Sequence, residues 1–429
     1  MSKEVNCTEG LLAFIDQSPS AYHVVENIRN RLLEQSFIEL KEAENWSIKS
    51  GKGYFVVRNG SSIIAFRMPR KQPKGFHIVA SHSDSPTFKV KENAQMTVEE
   101  HYIKVNTEKY GGMILSTWLD RPLSVAGRIA VKTADGEMEQ RTVKVDKDLL
   151  VIPNLAIHMN RDVNKGYEYN PQTDMLPLMA LTGEEERSDL LLEEVATAAG
   201  VKPEEILGHD LFLYVREKGR VLGAHGEFVH SPRLDDLQCV YASLEAFANA
   251  KPKQYTNVLA VFDNEEVGSG TAQGADSTFL QDVLLRIGEA LEWNHGEYCR
   301  RIAESYLVSA DNAHAVHPNH PQKADPTNRP YLGGGIVIKY HGSQRYTTDA
   351  VSAARMKLLC EKAKVPYQTY TNRSDIVGGG TLGNISTAHV SLNSVDIGLP
   401  QLAMHSAVET AGSRDTAYAI EVLTLLYEE

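Results

Sequence analysis

Asn257-Val258-Leu259-Ala260-Val261-Phe262 runs straight into Asp263-Asn264-Glu265-Glu266, and Gly268-Ser269-Gly270 comes after Val267. A short, almost wholly apolar run closed by acids and glycines reads as a buried strand ending in a polar turn, not as a helix surface. The same grammar recurs on either side. Upstream, His77 to Ala80 passes into Ser81-His82-Ser83-Asp84, and downstream Tyr306 to Ala310 ends in Asp311. Between and beyond these, helical spacing covers Leu237 to Ala250, Phe279 to Leu291, Ala350 to Lys362 and Arg414 to Tyr427, with further strands at Ile336 to Tyr340 and Ser391 to Ile397. Strands alternating with helices predict an α/β fold with a mainly parallel sheet flanked by helices. Open sheets of that kind build their sites where strands end.

The first 90 residues belong to the same pattern. Ser18-Pro19-Ser20 separates two amphipathic helices, and short strands come next at Tyr54 to Val57 and Ser62 to Phe66. From about residue 91 the character changes. Period-two alternation at Tyr102 to Val105, Val125 to Val131 and Thr142 to Val145, an acidic helix-favouring stretch from Thr182 to Ala198, and Leu211 to Val215 mark a β-rich insertion. We therefore expect one discontinuous catalytic domain, residues 1–90 and 232–429, interrupted by an inserted domain at 91–231.

Composition narrows the possible functions. The formal net charge of −12 and the lack of any Lys/Arg run argue against nucleic acid as a partner, since phosphate binding needs concentrated positive charge. No apolar run approaches the ~20 residues of a membrane span, and the N-terminus lacks a signal-peptide core. The four cysteines are scattered and form no C-x-x-C pair, so reduced thiols and a cytoplasmic protein are expected.

His82-x-Asp84, Asp235-Asp236, Glu265-Glu266, Asp311 and His405 supply carboxylates and two imidazoles. Alone, a histidine after a strand is a packing residue, and an acid before a helix is a cap. Together they suit two divalent ions of the zinc, manganese or cobalt type, about 3.5–4 Å apart across a shared carboxylate. Adjacent glutamates can divide the labour, one holding metal and its neighbour exchanging the water's proton. No G-x-S-x-G, P-loop or H-E-x-x-H motif competes.

Several stretches go further: Val79 to Pro86, Ile152 to His158, Ser231 to Leu237, Asp263 to Ser269, Ser309 to Asn319, Val337 to Lys339, Gln344 to Tyr346, Asp396 to Pro400 and Met404 to Ser406. In this order they span nearly the whole chain, which resembles the M18 metallopeptidases, the aspartyl aminopeptidases. The resemblance implies a zinc-peptidase-like catalytic domain and an inserted dimerisation domain, with dimers assembling into a tetrahedral dodecamer. By the same resemblance His82 and Asp311 would hold one ion, Glu266 and His405 the other, and Asp235 would bridge them. Glu265 would be the general base and acid, with Asp84 steadying His82. His314 would hold the scissile carbonyl, Lys339 would meet an acidic substrate side chain, Tyr346 would contact substrate, and His158 would reach a neighbouring subunit's site. Asp236 departs from the asparagine common in the family.

The expected activity is removal of N-terminal residues, preferentially Asp or Glu, from peptides with a free amine. Alternatives are a neutral, leucine-type specificity, a related metal-dependent deacylase or carboxypeptidase, and an assembly protein with a decayed site. Against decay, every ligand and the base are present.

Overall fold

In the computed structural model the described residues are 3–183 and 189–429. Part of the acidic stretch expected to be helical, residues 184–188, lies outside them, and the stretch ends in the helix Leu190–Ala199. The chain divides into two compact units. One comprises Met1–Asp84, Gly219–Met404 and Glu409–Glu429, the other Ser85–Lys218 with His405–Val408.

The first unit is built on a nine-stranded sheet. In spatial order its strands are Ile38–Glu39, Gly53–Arg58, Ser62–Arg67, Thr256–Phe262, Phe76–His82, Tyr306–Ala310, Asn393–Gly398, Ile336–Lys339 and Tyr367–Tyr370. Its centre is parallel, with 76–82 flanked by 256–262 and 306–310, and 306–310 in turn beside 393–398. Every residue of Thr256–Phe262 and of Phe76–His82 is buried. Alternation explains why consecutive residues of both strands are apolar. Leu259, Val261 and Val79 face one core, with Leu11, Ile28, Val240, Phe247 and Leu426 of the packed helices. Val258, Ala260, Phe262, Ile78 and Ala80 face another, with Phe279, Val283 and Ile287 of the helix Phe279–Ala290. Covered faces require apolar residues on both sides of the strand.

A five-stranded sheet completes this unit, in the order Arg220–Leu222, Phe228–Ser231, Glu409–Gly412, Pro400–Leu402, Ala313–His314. The second unit carries a six-stranded antiparallel sheet, 138–144, 123–132, 206–215, 87–98, 102–110 and 178–181. It packs around Phe88, Val105, Trp118, Val125, Leu211 and the helix residues Leu191 and Val195. Ser85 rather than residue 91 starts this unit, because Thr87–Val98 is one continuous strand of its sheet. Residues 219–231 stay with the first unit because Phe228–Ser231 pairs with Glu409–Gly412.

Candidate metal centre

Parallel register sets the position of the first unit's candidate residues. Phe262 lies opposite His82, and Ser309 lies opposite Ala80. Three neighbouring strands therefore stop at one level, with His82, the turn of Glu265–Val267 and Asp311 just beyond. Asp235 and Asp236 join them from the start of the helix Leu234–Asn249, and the peptide bond between them is cis. Two of the turns rest on non-glycine residues in the left-handed region, Arg233 at φ 57° and Asn264 at φ 62°. Such conformations gather at functional sites.

The ligand atoms converge. His82, Asp235, Asp236 and Asp311 each bring one within 4.8 Å of the others, as do His82, Glu265 and Glu266. His82 is 1% exposed, and its Nδ1 lies 3.2 Å from the Asp84 carbonyl. A carbonyl only accepts, so Nδ1 carries a proton, and in the neutral ring Nε2 presents a lone pair. That lone pair faces Asp235 Oδ1 at 3.5 Å and Asp311 Oδ1 at 4.0 Å. Acceptor facing acceptors in a dry site is tolerable only with a cation or proton between them.

The Asp84 carboxylate has a second task. Its Oδ1 accepts from the Glu265 amide at 3.2 Å and its Oδ2 from the Glu266 amide at 3.1 Å. Asp84 thus fixes the turn that aims both glutamates, besides lying 3.4 Å from His82 Nδ1.

Charge imbalance defines the electrostatics. Burial, reinforced by Asp311 and Asp235, raises the Asp236 carboxyl well above the usual carboxylate range. Asp311 is raised by burial and by Asp235, although Lys339 and His82 pull it down. Burial, with Asp311, Asp84 and Asp235, pushes Glu265 up to about 7 against the pull of His82. Burial works against protonated His82, but Asp236, Asp235, Asp84 and Glu265 outweigh it and hold the imidazole well above its ordinary value. Opposed to these acids stands Lys339, 2% exposed, with its Nζ 3.3 Å from Asp311 Oδ2 and 5.5 Å from the Tyr346 ring. Close-set oxygen donors, one imidazole lone pair and a shortage of positive charge fit divalent cations.

Tyr346 is buried beside Lys339, and His314 stands exposed on the short strand Ala313–His314, its ring 6.1 Å from that of Tyr370. His405 and His158 fall in the second unit. His405 sits at φ 67°, with Nδ1 2.9 Å from the Gly112 carbonyl, so its Nε2 also carries the lone pair. His158 lies on an exposed loop with Leu155, Ile157 and Met159. The residues that support Asp235 from behind, Glu409 and Gln401 among them, carry no motif in the sequence. The only hint is an acid and an amide within short strand-like runs.

A profile for aminopeptidase I zinc metalloproteases (M18) matches residues 14–427. The chain belongs to the M18 aminopeptidase family. It is accordingly a metallo-aminopeptidase, a peptide hydrolase. A probable M18 family aminopeptidase 2 of Clostridium novyi is 48% identical, with both chains covered completely. Among solved M18 relatives, the Ape4 chain of a complex with Nbr1 superposes with a TM-score of 0.96 at 37% identity, over 99% of this chain and 86% of that one. The mApe1 dodecamer of S. cerevisiae superposes with a TM-score of 0.85 at 26% identity, over 97% and 95%. None of the four cysteines is in a disulfide, and no helix among the described residues is long and apolar enough to cross a membrane.

Proposed function

We propose that this M18 enzyme uses two divalent ions, zinc first and cobalt or manganese in substitution, to remove N-terminal Asp or Glu from peptides. His82 and Asp311 would hold one ion, Glu266 and His405 the other, with Asp235 between them. Bound there, the ions would lower the pKa of a shared water and polarise the substrate carbonyl. The protein's own residues carry the rest. Glu265, aimed by Asp84 and raised to about 7 by burial and its acidic neighbours, takes the water's proton and returns it to the leaving amine. His314 donates to the developing oxyanion. The acidic edge of the site receives the free α-amine. The observation that carries this reading is the Asp84 clamp, which fixes two adjacent glutamates for two different tasks beside an imidazole lone pair.

Acid preference rests on Lys339. A buried cation next to Tyr346 would attract an Asp or Glu side chain and repel a basic one. One observation favours the neutral alternative: Lys339 is already engaged by Asp311. The second unit supports a homo-oligomer, as in the dodecameric yeast relative. There His158, amid exposed Leu155, Ile157 and Met159, would serve a neighbouring copy. Four cysteines without a disulfide support a cytoplasmic setting.

In the decisive experiment Glu265→Gln retains its zinc while kcat drops ~10²–10⁴-fold; normal turnover removes Glu265 from its role. Comparing kcat/KM for Asp, Glu, Leu and Lys p-nitroanilides decides specificity, and a preference for Leu overturns the acidic reading.

A further inference from the structure

Behind Asp235 lies a run of buried polar side chains that none of the assigned roles uses. Asn312, next to Asp311, is 2% exposed, and its amide nitrogen reaches the Leu234 carbonyl at 3.0 Å, Gln238 Oε1 at 3.1 Å and Gln401 Oε1 at 2.6 Å. Gln401 is 1% exposed and donates from Nε2 to Glu409 Oε1 at 3.0 Å. Glu409 is 2% exposed, and its Oε2 accepts the backbone N–H of Asp235 at 3.0 Å. The chain of bonds has a direction. The Asn312 amide donates to Gln401, which must then donate onward to Glu409. The Asp235 N–H can only donate. Glu409 receives donors on both oxygens, which only a carboxylate can satisfy.

We infer that Glu409 is a positioning residue: as a carboxylate acceptor it locks the main chain of Asp235 and, through Gln401 and Asn312, ties that turn to the one bearing Asp311. This deepens the two-metal reading and rests on it, because the locked turns carry the proposed bridging and terminal ligands. In Glu409→Gln the new side-chain amide accepts from one donor and turns its own NH₂ on the other, leaving a buried donor facing a donor. Exchanging the two side chains repairs the pattern. In Gln401→Glu/Glu409→Gln, Asn312 and the amide at position 409 both donate to the carboxylate at position 401, and the Asp235 N–H donates to the carbonyl oxygen of that amide. Total charge is unchanged.

The test uses full-length wild type, Glu409→Gln, the exchange variant Gln401→Glu/Glu409→Gln, and Asp235→Ala. Each is loaded with zinc, dialysed against graded chelator and assayed for bound zinc, with thermal unfolding followed alongside. Glu409→Gln should hold zinc about 10–100-fold more weakly, the usual cost of losing a residue that orients a ligand. The exchange variant should recover most of that loss. Two results overturn the proposal. One is a Glu409→Gln protein that retains zinc like wild type. The other is an exchange variant as impaired as Glu409→Gln, whether in zinc retention or in folding. Asp235→Ala separates the levels: if it retains zinc like wild type, the bridging role itself fails. If it loses zinc while Glu409→Gln does not, only the positioning role fails.

Discussion

Two histidines stand on one strand, five residues apart, and their surroundings treat them in opposite ways. His77 and His82 are both essentially inaccessible to solvent. Each binds a backbone carbonyl through Nδ1, His77 that of Leu426 and His82 that of Asp84. Each therefore presents a lone pair on Nε2. For His77 that lone pair accepts from the Arg355 guanidinium at 3.0 Å, and the ring stacks on Tyr255 with centroids 3.8 Å apart. Burial and the Arg355 charge depress its pKa to about 4. For His82 the lone pair meets carboxylates, and the pKa moves well upward. Residue type, strand and burial are shared; what lies opposite Nε2 decides. At one end the fold supplies its own donor and gains a structural pin between sheet and closing helix. At the other it supplies acceptors and leaves the position for a cation.

Replacing the histidine at the acidic end should have the largest effect. We expect His82→Ala to lower kcat/KM by ~10³-fold or more and to lose zinc on dialysis. Zinc content equal to wild type would erase the distinction between the two histidines.

The pin should reveal itself through pH. Its folded pKa of about 4 lies below the ordinary 6.5, so between these values the unfolded chain binds a proton that the folded protein does not. Stability from His77 is therefore complete above pH 6.5 and is lost as pH falls through 4, by at most about 3 kcal/mol. His77→Gln can keep both bonds without titrating. Between pH 7 and pH 4.5 the urea midpoint of metal-free wild type should fall further than that of the variant, and parallel curves would refute the assignment.

The smallest effect sharpens the contrast. Asp236 is fully buried among acids, and its Oδ2 accepts the His82 amide at 3.2 Å. Asp236→Asn keeps an acceptor and removes a charge, so the metal-free protein should gain about 1 kcal/mol in thermal unfolding. The second unit offers the reference behaviour. Asp210 lies between Lys89 at 3.0 Å and Arg128 at 2.9 Å, and although burial opposes it, these cations hold its carboxyl below the usual range. A loss of stability in Asp236→Asn would mean that the two acids are placed for the same reason.

Sequence by itself determined the α/β alternation, and it singled out a β-rich middle segment and the residues His82, Asp84, Asp235, Glu265, Glu266, Asp311 and His405 as candidates for the chemistry. It could do so because strand ends are marked locally, by apolar runs broken by acids and glycines. Their specific roles came through resemblance to a family. Only the tertiary structure decided what each group faces. The parallel register stops three strands at one level, Asp84 grips the Glu265–Glu266 turn, and Lys339 is buried where composition suggests a solvated lysine. Glu409 closes on the Asp235 main chain from 174 positions further along. Hydrogen-bond direction and charge balance are properties of neighbours in space, and these neighbours come from strands and helices that stand far apart in the sequence.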